Sequence, residues 1–529
     1  MNTPTNTTIS SSTYFQFGED WLTVSKVLGI LRGDIKAELS LVTQQHIQAS
    51  HEEVLAIASG DDAVYGINTG FGPLCNTIIE KQNTVDLQRN LLLSHAVGVG
   101  NPIGKELSKL MLILKVHSLA KAFSGISLEV INRILWHIEQ DVIPVVPEQG
   151  SVGASGDLAP LSHLFLPLLG EGEVYWNQKI VPTSIVLEAY EMAPLQLHPK
   201  AGLALINGTQ FILAHAVRVV EKLHSCLAHA DLIGAMMIEG LLGSASPFHP
   251  KLHQTRPHKG NVHVAGRIAR FLKDSEIVES HKNCGRVQDP YSLRCIPQVH
   301  GSSRVAWLHL KEAVETEMNS VTDNPIIFSR DFTISGGSFH GQPLALPLDY
   351  ACLAAAELGS ISDRRTYFSL EGIVDNLPKL LMRNTGLHSG FMIVQYTSAA
   401  LVSENKGLCF PSSADSIPTS LGQEDHVSMG SIGGRKALRV CENVIKILAT
   451  ELICAAQAFD YRKPLLSSNV LDAVHDHIRG FITHAEEDRI FALDLKKAIQ
   501  IIESGELLSI SRDLKEQPYS EHDELFEHY

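Results

Sequence analysis

The sequence predicts a mainly α protein: a central bundle of long helices with an N-terminal helical and irregular domain. Three observations predict it. Residues 209–245 contain no proline and carry apolar side chains on nearly every face, the pattern of a helix buried on all sides. Comparable helical stretches recur at 302–320, 345–375, 385–408 and 431–460. By contrast, Pro144, Pro147, Gly150, Gly153, Gly156 and Pro160 crowd into 141–172 and break regular backbone there.

The elements follow in order. Residues 1–15 read as a flexible tail; Met1 to Thr13 carry neither the basic start nor the apolar run of a secretion signal. Residues 26–60 and 84–140 read as amphipathic helices separated by glycine-rich turns. Val174-Tyr175-Trp176 and Lys179-Ile180-Val181 flank Asn177-Gln178 as a small hairpin. Ile326-Ile327-Phe328 and Phe332-Thr333-Ile334 form a second. The expected division is the tail, an N-terminal domain at 16–200, and a central and C-terminal helical bundle at 201–529. Bundles with large apolar surfaces associate, so an oligomer is expected.

Composition narrows the function. The chain has 529 residues, 44% hydrophobic and 19% charged, as in ordinary globular proteins. A net charge of -15 argues against a nucleic-acid partner, which needs a basic surface. The most apolar stretches, near 157–170 and 201–217, are too short or too polar to span a bilayer, so no membrane partner is expected. Eight scattered cysteines without a C-x-x-C pair fit a reduced, cytoplasmic protein. His249, His253, His258 and His263 cluster, but Pro250 and Pro257 spoil the i,i+4 spacing of a helical zinc pair, and no metal is expected.

Ala154-Ser155-Gly156 carries the chemistry. Alone, such a tripeptide is a tight turn. It also holds what a backbone cyclisation needs: the Gly156 nitrogen attacks the Ala154 carbonyl carbon and closes a five-membered ring through Ser155. Loss of water then leaves a methylidene from the Ser155 side chain. Glycine suits the attacking position because it has no Cβ to obstruct close backbone approach.

Seven motifs run in order along the chain: Tyr65-Gly-Ile-Asn-Thr-Gly-Phe-Gly72, Gly153-Ala-Ser-Gly-Asp-Leu-Ala-Pro-Leu-Ser-His163, Leu205-Ile-Asn-Gly-Thr209, Gln288-Asp-Pro-Tyr-Ser-Leu-Arg294, Thr322-Asp-Asn-Pro325, Gly336-Gly-Ser-Phe-His-Gly341 and Gln423-Glu-Asp-His-Val-Ser-Met429. Together they resemble the aromatic amino acid ammonia-lyases, which carry a methylidene-imidazolone prosthetic group. The resemblance implies that this group forms autocatalytically from Ala154, Ser155 and Gly156, with no external cofactor. It also implies a homotetramer whose active sites each draw residues from three subunits.

The resemblance assigns roles. Tyr65 becomes the base for the β-proton; a free phenol has a pKa of about 10, so its site must favour the phenolate or couple it to another acceptor. The glycines after it let the loop close as a lid. Arg294 becomes the clamp for the substrate carboxylate, with Asn324 in the same set. Asn207, Gln288 and Tyr291 lie near ring and substrate, and Asn207 donates to the ring oxygen. Phe339 packs beside the prosthetic group. Ser94 and His95 occupy the positions associated with substrate choice, where a polar pair disfavours a phenyl ring. Glu404 matches a carboxylate that accepts an imidazole N–H.

The implied reaction is therefore non-oxidative elimination of ammonia from L-histidine, giving trans-urocanate, in histidine degradation. Phe410-Pro411 stands where many family members carry His-Pro. Other readings stay open: a tyrosine ammonia-lyase or aminomutase with the same group, a helical binding protein that kept the fold without the ring, and a metal-dependent hydrolase.

Overall fold

The computed structural model describes residues 14–60, 63–70, 72, 79–80, 83–282, 285–514 and 518–529. Nearly all of the expected tail, residues 1–13, lies outside the described residues. So do Phe71 and residues 73–78 of the Tyr65 loop.

The chain divides into two compact units, and neither is one continuous segment. The first unites the described residues through His215 with Ala313–Ala345 and Ser412–Ile432. The second unites Ala216–Glu312, Leu346–Pro411 and Gly433–Tyr529. The mainly α expectation holds, because long helices dominate and the strands are short.

In the first unit, side-chain caps start several helices. Thr23 accepts from Lys26 N, Ser40 from Thr43 N and Ser127 from Val130 N, which satisfies backbone donors left open at helix N-termini. Both expected hairpins are present. Glu173–Trp176 pairs antiparallel with Lys179–Pro182, and Ile326–Ser329 with Phe332–Ile334. Val99–Pro102 pairs with Pro147–Gln149 on the approach to the glycine-rich break. Deep in this unit, fully buried Lys200 donates to Asp323 at 2.5 Å. Removing one member of a buried ion pair strands the other charge. Lys200→Met is therefore expected to lower unfolding free energy by about 3–5 kcal/mol, measured by denaturant titration.

The second unit holds most of the long-helix core. The helix Gln210–Gly240 buries Leu223, Cys226, Leu227, Ala230, Leu232 and Ile233, residues on every face. Several charged groups inside this core are paired. Asp231 accepts from Arg267 Nε at 2.9 Å and lies 2.8 Å from His300 Nδ1, while Arg365 holds Glu451. Burial favours the protonated Asp231 carboxyl, but Arg304, His300 and Arg267 outweigh it and hold its pKa well below the usual range.

The helix Gln342–Ser369 starts just before the expected 345–375 stretch and stops short of its end, with Pro347 inside. Among the described residues it alone is long and apolar enough to cross a bilayer by length and composition. Since 67% of its most apolar window is buried inside the protein, it fits a core helix.

Candidate active site

Regular backbone is broken over less of 141–172 than expected: short strands at Ile143–Pro144 and Pro147–Gln149 and a helix at Leu158–Phe165 leave an irregular loop at 150–157, set against the start of the helix Gln210–Gly240. Gly156 has φ +76° and pairs with Gly208 as an isolated bridge. A Cβ there would stand 2.1 Å from the Gly208 oxygen, so only glycine fits. Gly156→Ala is accordingly expected to push the loop off Gly208 and to lower the melting temperature, measured by a thermal melt.

Asp157 anchors the loop. Its N–H donates to Gly208 O at 2.7 Å, and its Oδ2 accepts from Phe211 N at 3.1 Å and Ile212 N at 2.9 Å. The N-terminal end of a helix is a natural seat for a carboxylate. Burial still pushes the Asp157 carboxyl up to about 7, against these bonds and the one from Ser151.

Asn207 caps the short helix Ala201–Ile206, and its Nδ2 donates to Ser155 O at 2.9 Å. Its buried Oδ1 has no partner among the described residues.

The segment Ser412–Ile432 closes the other side. Ser428 Oγ donates to Gly153 O at 2.9 Å, and Met429 N to Val152 O at 2.9 Å. This backbone pairing carries Glu424 to the tripeptide. Glu424 Oε1 accepts from Ser155 Oγ at 2.5 Å, while Oε2 accepts from Thr419 Oγ1 at 2.7 Å and Ser420 Oγ at 3.0 Å. Glu424 has no role in the sequence analysis, although it lies inside one of the quoted motifs. Its signal was an acidic residue within a motif; its partner, Ser155, is 269 residues away.

A cavity of about 480 Å³ opens on Ser155, within the usual range for small-molecule sites. Tyr65, Ser94, His95, Asn207 and Glu424 line it. Tyr65 Oη accepts from Gly72 N at 3.2 Å. Gly66 holds φ +73°, and a Cβ there would meet Leu203 at 2.4 Å. Ser94 Oγ lies 3.0 Å from His95 Nδ1. Burial holds the His95 pKa below its ordinary value, with Leu91 and Glu424 opposing.

The other expected site residues do not line this cavity. Asn324 Oδ1 accepts from Gly336 N at 2.8 Å in the hairpin region. Phe339 is half-buried just before Gly341, whose N–H reaches Gly153 O at 3.4 Å. Gln288, Tyr291, Arg294 and Glu404 belong to the second unit. There Arg294 Nε donates to Asp289 O at 3.0 Å, and its guanidinium sits 4.6 Å from the centre of the Tyr291 ring. Gln288 is exposed, and Tyr291 is 71% exposed.

Glu404, expected at the substrate ring, accepts from Asn443 Nδ2 at 3.2 Å and lies 3.5 Å from Arg439 Nε. His249, His253 and His263 of the histidine cluster are engaged in ordinary contacts. His249 accepts from Lys251 N, His253 bonds Pro247 O, and His263 lies between Asp523 and Glu527.

The family model for aromatic amino acid lyases matches residues 22–480. The chain belongs to the aromatic amino acid lyase family. This lyase is 45% identical over 494 residues to a protein named histidine ammonia-lyase from Myxococcus xanthus, covering 93% of this chain and 97% of that one. Among solved structures, the histidine ammonia-lyase of Trypanosoma cruzi aligns with a TM-score of 0.88 at 39% identity, covering 97% of this chain and 96% of that one. A tyrosine aminomutase from Streptomyces globisporus aligns at 0.90 with 32% identity, covering 96% and 100%. The lyase thus breaks carbon–nitrogen bonds, and the fold it shares serves more than one aromatic substrate.

Proposed function

We propose that this lyase eliminates ammonia from L-histidine to give trans-urocanate, using a methylidene-imidazolone formed from Ala154-Ser155-Gly156. The observation that carries it is the Ser155–Glu424 contact inside a cavity that also holds Tyr65 and His95.

The residues fit the prosthetic group. Gly156 allows the close approach that ring closure requires. Asn207 already donates to the Ser155 carbonyl, the oxygen the ring would keep, and its orphaned Oδ1 leaves an acceptor unspent. Once formed, the group supplies an electrophile that helps the substrate amine leave.

The chain's own residues do the rest. Tyr65 takes the β-proton across the cavity. Asn207 stabilises negative charge on the Ser155 oxygen by a fixed hydrogen bond. Glu424 accepts an imidazole N–H, with Ser94 and His95 beside it as polar groups that leave a phenyl ring unmatched. His95 is neutral near pH 7, because burial depresses its pKa, and so contributes hydrogen bonding without charge.

Arg294 and Tyr291, with Gln288, form the carboxylate clamp. The exposure of Gln288 and Tyr291, together with exposed Tyr350, Leu353, Ile393 and Tyr396, supports a homotetramer in which other copies complete each site. Asn324 and Phe339 support the site from the segment that meets Gly153. The enzyme acts in the cytoplasm without metal or external cofactor.

Incubation with histidine, tyrosine and phenylalanine tests this. Urocanate absorbance with free ammonia is expected from histidine. Coumarate from tyrosine would reassign the substrate, and a β-amino acid without ammonia would make the enzyme an aminomutase.

A further inference from the structure

Lys115 lies on the helix Lys105–Leu119 with its side chain wholly buried. Long cationic side chains ordinarily run their tips out to water. This one surrenders its hydration instead, and its one hydrogen bond among the described residues goes to Asn207 O at 2.7 Å. The carboxylate that acts most strongly on it, Asp323, is bonded to Lys200 and to Asn324 N. Burial pushes the amine down to about 7, with Asp323 opposing, Lys200 adding to the fall, and Asp157 opposing.

The peptide that Lys115 grips is the one that meets the tripeptide. Asn207 closes the helix Ala201–Ile206, so its carbonyl has no partner within that helix. Its side chain donates to Ser155 O at 2.9 Å. The next carbonyl, Gly208 O, accepts from Asp157 N at 2.7 Å. Asn207 and Gly208 therefore hold the loop on both sides of Gly156. Gly208, at φ +137°, gives this peptide no steric reason of its own to keep its orientation. A donor on Asn207 O supplies that reason.

We propose that Lys115 is a positioning residue. It fixes the Asn207–Gly208 peptide and, through it, aligns Ala154-Ser155-Gly156 for ring closure and Asn207 for its bond to the ring oxygen. This rests on the prosthetic-group reading above. The lysine touches neither substrate nor ring; it acts through Asn207.

The test compares K115M, K115Q and K115R with the unaltered full chain. The readouts are intact mass, circular dichroism and steady-state kinetics with histidine. K115M keeps the length and loses the donor. It is expected to fold but to show incomplete loss of the two waters, and kcat is expected to fall about tenfold or more while KM changes much less. K115R restores a donor and is expected to recover most of the ring and most of kcat. Should K115M fail to fold, K115Q serves in its place, since its shorter amide cannot reproduce the lysine's reach.

Complete ring closure with unaltered kcat in K115M or K115Q overturns the proposal. Equal loss in K115R also overturns it, since the site would then need the lysine's shape and not its donor. An unaltered chain whose mass has not dropped by two waters refutes the prosthetic-group reading itself, whatever the Lys115 variants do.

Discussion

Ser155→Ala is expected to leave the fold in place and to remove at least about 10³-fold of the turnover, because no other group at the site supplies the electrophile. Before ring closure the Ser155 hydroxyl is half-buried and donates to Glu424. The unaltered chain gives up the same hydroxyl as water when the ring forms, so the variant loses no contact that the finished site keeps. Its chemical loss is complete, since alanine has no hydroxyl to leave as water and no methylidene forms. Gly156 and Asn207 keep their geometry, so the cavity and its polar wall persist. Intact mass reports the chemistry, circular dichroism the fold, and ammonia release the activity. A variant that still turns over histidine near the original rate would show that the reaction does not use the methylidene.

That experiment tests the most legible part of the molecule. The Ala154-Ser155-Gly156 loop stood out because proline and glycine interrupt an otherwise helical chain. The helix Gln210–Gly240 stood out because apolar residues without proline leave little else for such a segment to form. Both hairpins were legible from their turn residues and flanking strands. The C-terminal helices Asn469–Phe481 and Phe491–Ser504 were not read, although Ser468 caps the first and Leu471, Val474, His475 and Ile478 give it a buried stripe at helical spacing.

The units were hidden for a stronger reason. Ala313–Ala345 and Ser412–Ile432 join the first unit through contacts made across hundreds of residues, which no local pattern encodes. The same physics hid Glu424. Its place beside Ser155 depends on Met429 and Ser428 bonding to Val152 and Gly153.

Glu424→Gln and Glu404→Gln are expected to separate sharply. Glu424 meets Ser155 in the cavity that His95 lines, while Glu404 faces Arg439 and Asn443 with its side chain 46% exposed. Glutamine keeps the size of Glu424 and one carbonyl acceptor but removes the charge. It also offers an NH₂ toward Ser155 and toward any imidazole N–H. The acceptor that favours histidine is thus halved, and a donor clash takes the place of a charge-assisted hydrogen bond. For Glu424→Gln, kcat/KM for histidine is expected to fall about 100-fold, with a smaller loss for an amino acid whose ring carries no N–H. Glu404→Gln breaks an exposed ion pair, a contact that contributes little, and is expected to stay within a few-fold of the original. Thermal melts taken alongside the kinetics keep folding losses apart from chemical ones. If Glu404→Gln shows the greater loss of histidine turnover and Glu424→Gln the lesser, the carboxylate that reads the imidazole is Glu404, and the polar wall around Ser155 serves ring formation alone.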